Sequence, residues 1–173
     1  AAYQQRFDPQ KSKGLLLVGG SGTGKTHLMC GLLNYLTLQR GIGCRFVDFF
    51  HLTARIRATY DNSRSESEQD ILGPLAEVPV LAIDELGKGQ GTPWELGIVD
   101  QLISRRYNAG RIVLATTNYE PEAWQPQTGK KIDQSLEDRV GRRILSRMTE
   151  MCDVVEVRGP DFRTTRLPRR RPT

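Results

Sequence analysis

Eight residues, Gly19-Gly20-Ser21-Gly22-Thr23-Gly24-Lys25-Thr26, carry the spacing GxxxxGK[ST]. Glycines at these places let backbone N–H groups turn inward around an anion, the lysine neutralises phosphate oxygens, and the adjoining hydroxyl suits a divalent cation. The chemistry is capture of ATP: Lys25 is expected on the β- and γ-phosphates, Thr26 on Mg²⁺, and the stretch from Gly19 through His27 around the nucleotide. A second signal is Asp84-Glu85, which ends the apolar run 78–83 (VPVLAI). Two adjoining carboxylates at the end of a buried strand are costly unless a cation or water network uses them. Asp84 is therefore expected in the Mg²⁺ shell, and Glu85 is expected to orient and polarise an attacking water.

Two further groups of residues could join this chemistry. Asn118 follows the apolar segment 111–116. Its amide can touch the γ-phosphate or the water if its strand lies between the two strands carrying the first two signals; otherwise it is a turn-starting Asn. Arg139, Arg143 and Arg147 recur every four residues and form one positive stripe on a helix. Such a stripe can supply an arginine to a neighbour's transition state, worth about 10³ to 10⁵ in rate; the alternative is a solvated face paired with Glu137 and Asp138. His27 and His51 have no second ligand type nearby and read as ordinary helix residues rather than metal ligands. Cys30, Cys44 and Cys152 are odd in number, far apart and outside any CxxC pair, which fits reduced thiols and no structural metal.

The elements that must hold these groups can be read from periodicity. The 173 residues have the length of one domain. A buried strand over 14–19 runs into the glycine loop, and a helix over 25–40, with Leu28, Leu32, Leu33 and Leu36 at helical spacing, leaves it and stops at Gly41. A strand over 44–49, a helix over 52–60, a polar loop or frayed helix start over 61–69, and a strand over 78–83 with Pro79 at its beginning follow. A helix over 94–108, a strand over 111–116, a helix over 135–148 with Leu136, Val140, Ile144 and Met148 on one face, and a last strand over 154–157 complete the pattern. Alternating strands and helices of these lengths give an α/β fold, a mostly parallel sheet between helix layers, with ligands beyond the strands' carboxyl ends.

Residues 1–13 are polar and without period, and read as a linker or N-terminal extension. Residues 163–173, with Arg163, Arg166, Arg169, Arg170 and Arg171, form a basic C-terminal tail. The formal charge of +5 suits a polyanionic partner, although a solvated tail explains much of it. With no apolar run of membrane-spanning length and no leader pattern, the expected setting is cytoplasmic, with no membrane partner.

The blocks GGSGTGKTHL, LAIDELG, ISRRYNAGRIVLATTN, LEDRVGRRILSRM and RGPDFR, in that order and over nearly the whole chain, resemble the DnaC/IstB-like branch of the AAA+ ATPases. That branch holds bacterial and phage helicase loaders and transposition helper ATPases. The resemblance implies a three-layer P-loop NTPase (AAA+/ASCE) over 14–162, with a five-stranded parallel sheet of order 5-1-4-3-2 and no evident C-terminal lid domain. It makes Asn118 the sensor residue, Arg147 the leading arginine finger and Arg143 the second choice. It also implies self-association into a ring or spiral with ATP at the joint, and slow hydrolysis by a lone copy.

Asp-Glu-Leu-Gly and the Arg-rich block look more like helicase loaders. The implied function is an ATPase that places a replicative hexameric helicase on single-stranded DNA at the initiation of DNA replication. Arg55, Arg57 and Lys88 are the implied DNA contacts, with no aromatic stacking platform evident beside them. The alternatives are an IstB-like transposition helper that binds duplex DNA, and a nucleotide-switched interaction module with negligible turnover. Full-length loaders of this kind carry an N-terminal helicase-binding domain, and this chain begins just before the P-loop strand. Engagement of the helicase is accordingly expected to need a domain outside the present sequence.

Overall fold

The computed structural model describes residues 2–9, 11–60, 66–121, 124–125, 130–131 and 134–165. In chain order these are helix α1 (Ala2–Arg6), strand β1 (Gly14–Val18), helix α2 (Lys25–Asn34) with a π-helical continuation (Tyr35–Gln39), and strand β2 (Cys44–Asp48). Helices α3 (Phe49–Tyr60) and α4 (Glu68–Glu77), strand β3 (Val80–Asp84), helix α5 (Pro93–Asn108) and strand β4 (Ile112–Thr117) follow. A two-residue ribbon pairs Trp124–Gln125 with Lys130–Lys131. Helices α6 (Leu136–Val140) and α7 (Arg142–Met151), strand β5 (Cys152–Glu156) and the short helix α8 (Phe162–Thr165) end the described chain.

The five main strands are all parallel and lie in the order β2-β3-β4-β1-β5, which is the expected 5-1-4-3-2 seen from the other edge. Strand residues alternate between faces, so each interior strand feeds two cores at once. Leu16, Val18, Leu81, Ile83, Val113 and Ala115 pack with apolar residues of α3, α4, α5, α6 and α7. Leu17, Val80, Ala82, Ile112 and Leu114 pack on the opposite side with Met29, Leu32 and Leu33 of α2. The result is three layers, with β4 in the middle of the sheet.

Three departures from the sequence reading have local causes. Residues 2–6 are helical, and Phe7 is buried against the α2 side, so part of the segment read as a linker belongs to the core. Helix α4 starts inside the stretch read as a loop or frayed helix start and runs on to Glu77, an extent that Pro74 obscures; a capping box between Ser67 and Asp70 starts it, and Ile71, Leu72 and Leu75 bury its face. Of the polar loop read at 61–69, residues 61–65 lie outside the described residues.

The helix read over 135–148 is two helices, broken at Gly141, whose φ of 84° most side chains avoid. Leu136, Val140, Ile144 and Met148 are nonetheless all buried, since each half keeps its face to the core. Arg106, on which the sequence reading was silent, is fully buried on α5. Its guanidinium donates to the carbonyls of Leu75 (2.7 Å), Ala76 (3.3 Å), Val78 (2.8 Å), Pro79 (3.1 Å) and Ile112 (2.5 Å). It thereby satisfies the end of α4 and the entry to β3, and burial pushes its pKa down to about 10.

Candidate functional site: a nucleotide-binding loop facing an Asp-Glu pair

Strand β1 delivers the chain into the glycine loop, and α2 begins at Lys25, directly after Gly24. Loop residues 21–24 and the N-terminus of α2 therefore line the same space, the arrangement that favours phosphate. Lys25 is only 7% exposed. Its ammonium donates to Gly19 O (2.8 Å), Gly20 O (2.7 Å) and Asn118 Oδ1 (2.7 Å). Burial lowers its pKa, while the charges of Asp84 and Glu85 oppose that shift.

Register explains the rest of the meeting. Because β4 lies between β1 and β3, the tips of all three strands converge: Lys25 after β1, Asn118 after β4, and Asp84 at the end of β3. Thr26 donates its hydroxyl to the Asp84 carboxylate, 3.0 Å from each oxygen, and Thr116 donates to the same carboxylate at 2.5 Å. Hydroxyl and carboxylate oxygens are the hard donors that Mg²⁺ prefers, so Thr26 and Asp84 fit that ion.

Glu85 follows in a left-handed conformation with φ of 54°, rare for a side chain other than Gly or Asn and worth about 1 to 3 kcal/mol of local strain. Its own N–H donates to Thr116 Oγ1 (2.9 Å) and the N–H of Leu86 donates to Thr116 O (2.7 Å), which hold the turn in that state. The Glu85 carboxylate is ion-paired with the Lys88 ammonium.

These groups open onto a cavity of about 470 Å³, lined by residues 21–28, Glu85, Thr116, Asn118, Phe162 and Arg163. That volume lies in the range of small-ligand sites. Phe162 and Arg163 were not singled out from the sequence as site residues. They arrive because the chain after β5 folds back: Val157 N–H donates to Val18 O (2.7 Å) and Phe162 N–H to Gly22 O (3.1 Å). Asp161 approaches so closely that a Cβ on Gly22 would lie 1.9 Å from its carboxylate oxygen. Arg163, assigned to the basic tail, is thus a wall of the cavity, whereas residues 166–173, with the remaining tail arginines, lie outside the described residues. The signal available in the sequence was the RGPDFR block itself.

The arginine stripe is not one face. The break at Gly141 separates Arg139 from the other two. Arg139 donates to Gly87 O (3.0 Å) and Gly89 O and lies over the Tyr119 ring at 5.4 Å. Arg143 is 3.5 Å from Asp100, with its side chain 69% exposed, whereas Arg147, 19% exposed, bonds Asp100 (3.2 Å) and Ser104 and stacks over Tyr107. The partner of both is Asp100, not Glu137 or Asp138, and neither lines its own chain's cavity.

Of the implied DNA contacts, Arg55 pairs with Glu66 and Lys88 with Glu85. Arg57 lies over the Trp94 ring at 4.8 Å, and Tyr60 meets Trp94 edge-on at 6.2 Å. Two aromatic rings thus stand beside Arg57, a meeting of α3 and α5 that the sequence reading could not know.

A parallel sheet in this order, with a glycine loop between an interior strand and its helix and an Asp-Glu pair at the tip of β3, defines a P-loop nucleotide-binding protein of the AAA+ class. The family model described as IstB-like ATP binding protein matches residues 9–169, and the chain belongs to that family. It is similar to the replicative helicase loader DnaC of Escherichia coli K12, 29% identical over 130 residues that make up 75% of this chain and 52% of that protein. It is 26% identical to DnaC of Buchnera aphidicola from Acyrthosiphon pisum over the same shares. The chain thus spans about half the length of these curated relatives. Among solved structures, the crystal structure of the DnaC helicase loader superposes with a TM-score of 0.75 at 29% identity, over 91% of this chain and 85% of that one. AMPPCP-bound DnaA from Aquifex aeolicus shares the fold at a TM-score of 0.69 and 16% identity.

Proposed function

We propose that this chain is the ATPase unit of a helicase loader, binding Mg²⁺-ATP and hydrolysing it at a joint between copies. The observation that carries the ATPase half is the gathering of Lys25, Thr26, Asp84, Glu85 and Asn118 at three adjacent strand tips. The likeness to DnaC supports the loader half and favours it over a transposition helper on duplex DNA. A cytoplasmic setting fits the same likeness, and no helix among the described residues is long and apolar enough to cross a membrane.

On this reading the loop amides and Lys25 hold the triphosphate, with phosphate oxygens replacing the carbonyls and Asn118 amide that now surround the ammonium. Thr26 and Asp84 would hold Mg²⁺, which when bound would supply positive charge against the phosphates. Glu85 orients the attacking water, and Asn118 senses the γ-phosphate from the neighbouring strand. Phe162 offers a ring and Arg163 a cation to the same bound nucleotide.

Exposure orders the two finger candidates differently from the family-based expectation. Arg143, exposed and only loosely paired with Asp100, is placed to reach another copy, whereas Arg147 is held against α5. Arg143 is therefore the arginine supplied in trans. Single-stranded DNA is bound at Arg57, Trp94 and Tyr60, where bases can stack and a cation meets the backbone. The partner on this reading is a replicative helicase.

The test is ATP turnover against protein concentration, with no DNA, with single strands and with duplex. Turnover per copy should rise with concentration and rise further with single strands, and Trp94→Ala should remove only that second rise. Enhancement by duplex alone would reinstate the transposition-helper reading. Tight ATP binding with flat, negligible turnover would leave a nucleotide-switched interaction module.

A further inference from the structure

Glu85 has to be aimed, and its backbone alone does not aim a carboxylate three bonds away. Two contacts bear on it. The Lys88 ammonium pairs with Oε2 of Glu85, and the Lys88 N–H donates to Glu85 O (2.9 Å), closing a tight turn. The carbonyls on either side of Lys88, those of Gly87 and Gly89, are both taken by the guanidinium of Arg139. A planar fork of donors holds two carbonyls in one fixed geometry, whereas the rotatable donors of an ammonium on its flexible stem do not impose that geometry. The same guanidinium lies over Tyr119, the residue directly after Asn118. Arg139 therefore touches both turns whose preceding strand tips carry the Glu-Asn machinery, although it comes from α6 and lines no part of the cavity.

We infer that Arg139 is a positioning residue for Glu85: it clamps the turn 87–89 so that Lys88 holds one carboxylate oxygen and leaves the other presented to the cavity. The inference rests on the reading of Glu85 as the residue that orients water. It gives Lys88 a role in aiming Glu85, in place of a contact to DNA. It also removes Arg139 from the set of arginines offered to a neighbouring copy.

The experiment compares Glu85→Gln, Arg139→Ala, Arg139→Lys, Lys88→Ala and the Arg139→Ala/Lys88→Ala pair, at a concentration where the unsubstituted chain turns over ATP. Each is measured for kcat, KM, nucleotide affinity and amide exchange in 85–91. Arg139→Ala and Lys88→Ala should each lower kcat by about 10- to 100-fold with nucleotide affinity unchanged, the scale of a misplaced catalytic group. The pair should be no worse than the poorer single substitution. Arg139→Lys, which keeps the charge but not the fork, should resemble Arg139→Ala, and amides in 85–91 should exchange faster in both.

Full turnover in either alanine variant, faster turnover in Lys88→Ala, additive losses in the pair, or unchanged exchange in Arg139→Ala would each overturn the inference. If Arg139→Ala does not fold, Lys88→Ala, altered only on an exposed side chain, decides on kcat. If Glu85→Gln itself retains full turnover, the reading of Glu85 falls first.

Discussion

Lys25 shows how a buried charge is made tolerable before its ligand arrives. Three acceptors surround the ammonium, and two of them are carbonyls of the very loop it serves. Cys152 is the opposite case, a buried group kept neutral. It sits at the start of β5 with its thiol toward Val113 O (3.3 Å), and burial pushes its pKa from 9.0 up to about 12. Cys30 and Cys44 are only half-buried. In the native protein a thiol reagent should modify Cys30 and Cys44 quickly and Cys152 only on unfolding.

The same shift sets a sign for pH. The folded state holds the Cys152 proton more tightly than the unfolded chain, so its contribution to stability is intact below pH 9 and is lost as pH rises toward about 12. Melting temperatures followed across that window should fall less steeply in Cys152→Ala. An equal slope in both proteins would remove Cys152 as a source of the alkaline loss.

At the scale of elements, Arg106 is a test of how α4 is anchored. Replacing it by Leu leaves several buried carbonyls without a donor, at about 1 to 3 kcal/mol for each unpaired group. Urea denaturation of Arg106→Leu should show a loss of more than about 3 kcal/mol, and Arg106→Lys should recover little of it, because one ammonium cannot reach all these carbonyls. A loss under about 1 kcal/mol would mean that water takes over the carbonyls.

The strands and the glycine loop were legible in the sequence, because an apolar run ending at Gly19 or Asp84 is a local pattern. Lys25, Thr26, Asp84 and Glu85 were legible for the same reason. The extent of helix α4 was not, since Pro74 obscures its period, nor was the break at Gly141, since the apolar spacing of four continues across it. Phe162, Arg163 and the clamp by Arg139 depend on where the chain returns in space, which periodicity does not encode. The meeting of Tyr60 and Trp94 is of that kind too, two rings far apart in sequence brought together by α3 and α5.

For the whole molecule, the proposal is that a copy is incomplete alone: it holds a cavity with phosphate-binding groups, and an exposed Arg143 that no part of its own cavity uses. Arg143→Ala should lower turnover by about 10³-fold or more while nucleotide binding is kept, whereas Arg147→Ala should act mainly on stability, through the lost contact to α5. Mixing Arg143→Ala with Lys25→Ala should restore part of the turnover, because one supplies a filled site and the other an arginine. No recovery on mixing, at concentrations where the unsubstituted chain is active, would place the arginine's action within one copy.

Asp100 gives this arrangement an unexpected economy of motion. It answers two guanidinium groups, one exposed at 3.5 Å and one packed at 3.2 Å. If Arg143 acts on another copy as proposed, the carboxylate it would leave stays paired with Arg147, so its departure would strand no bare charge on α5. A finger tethered to a private partner would have to break that pair outright. Here the resting place is shared, and the exposed arginine can come and go while the packed one keeps helices α5 and α7 together.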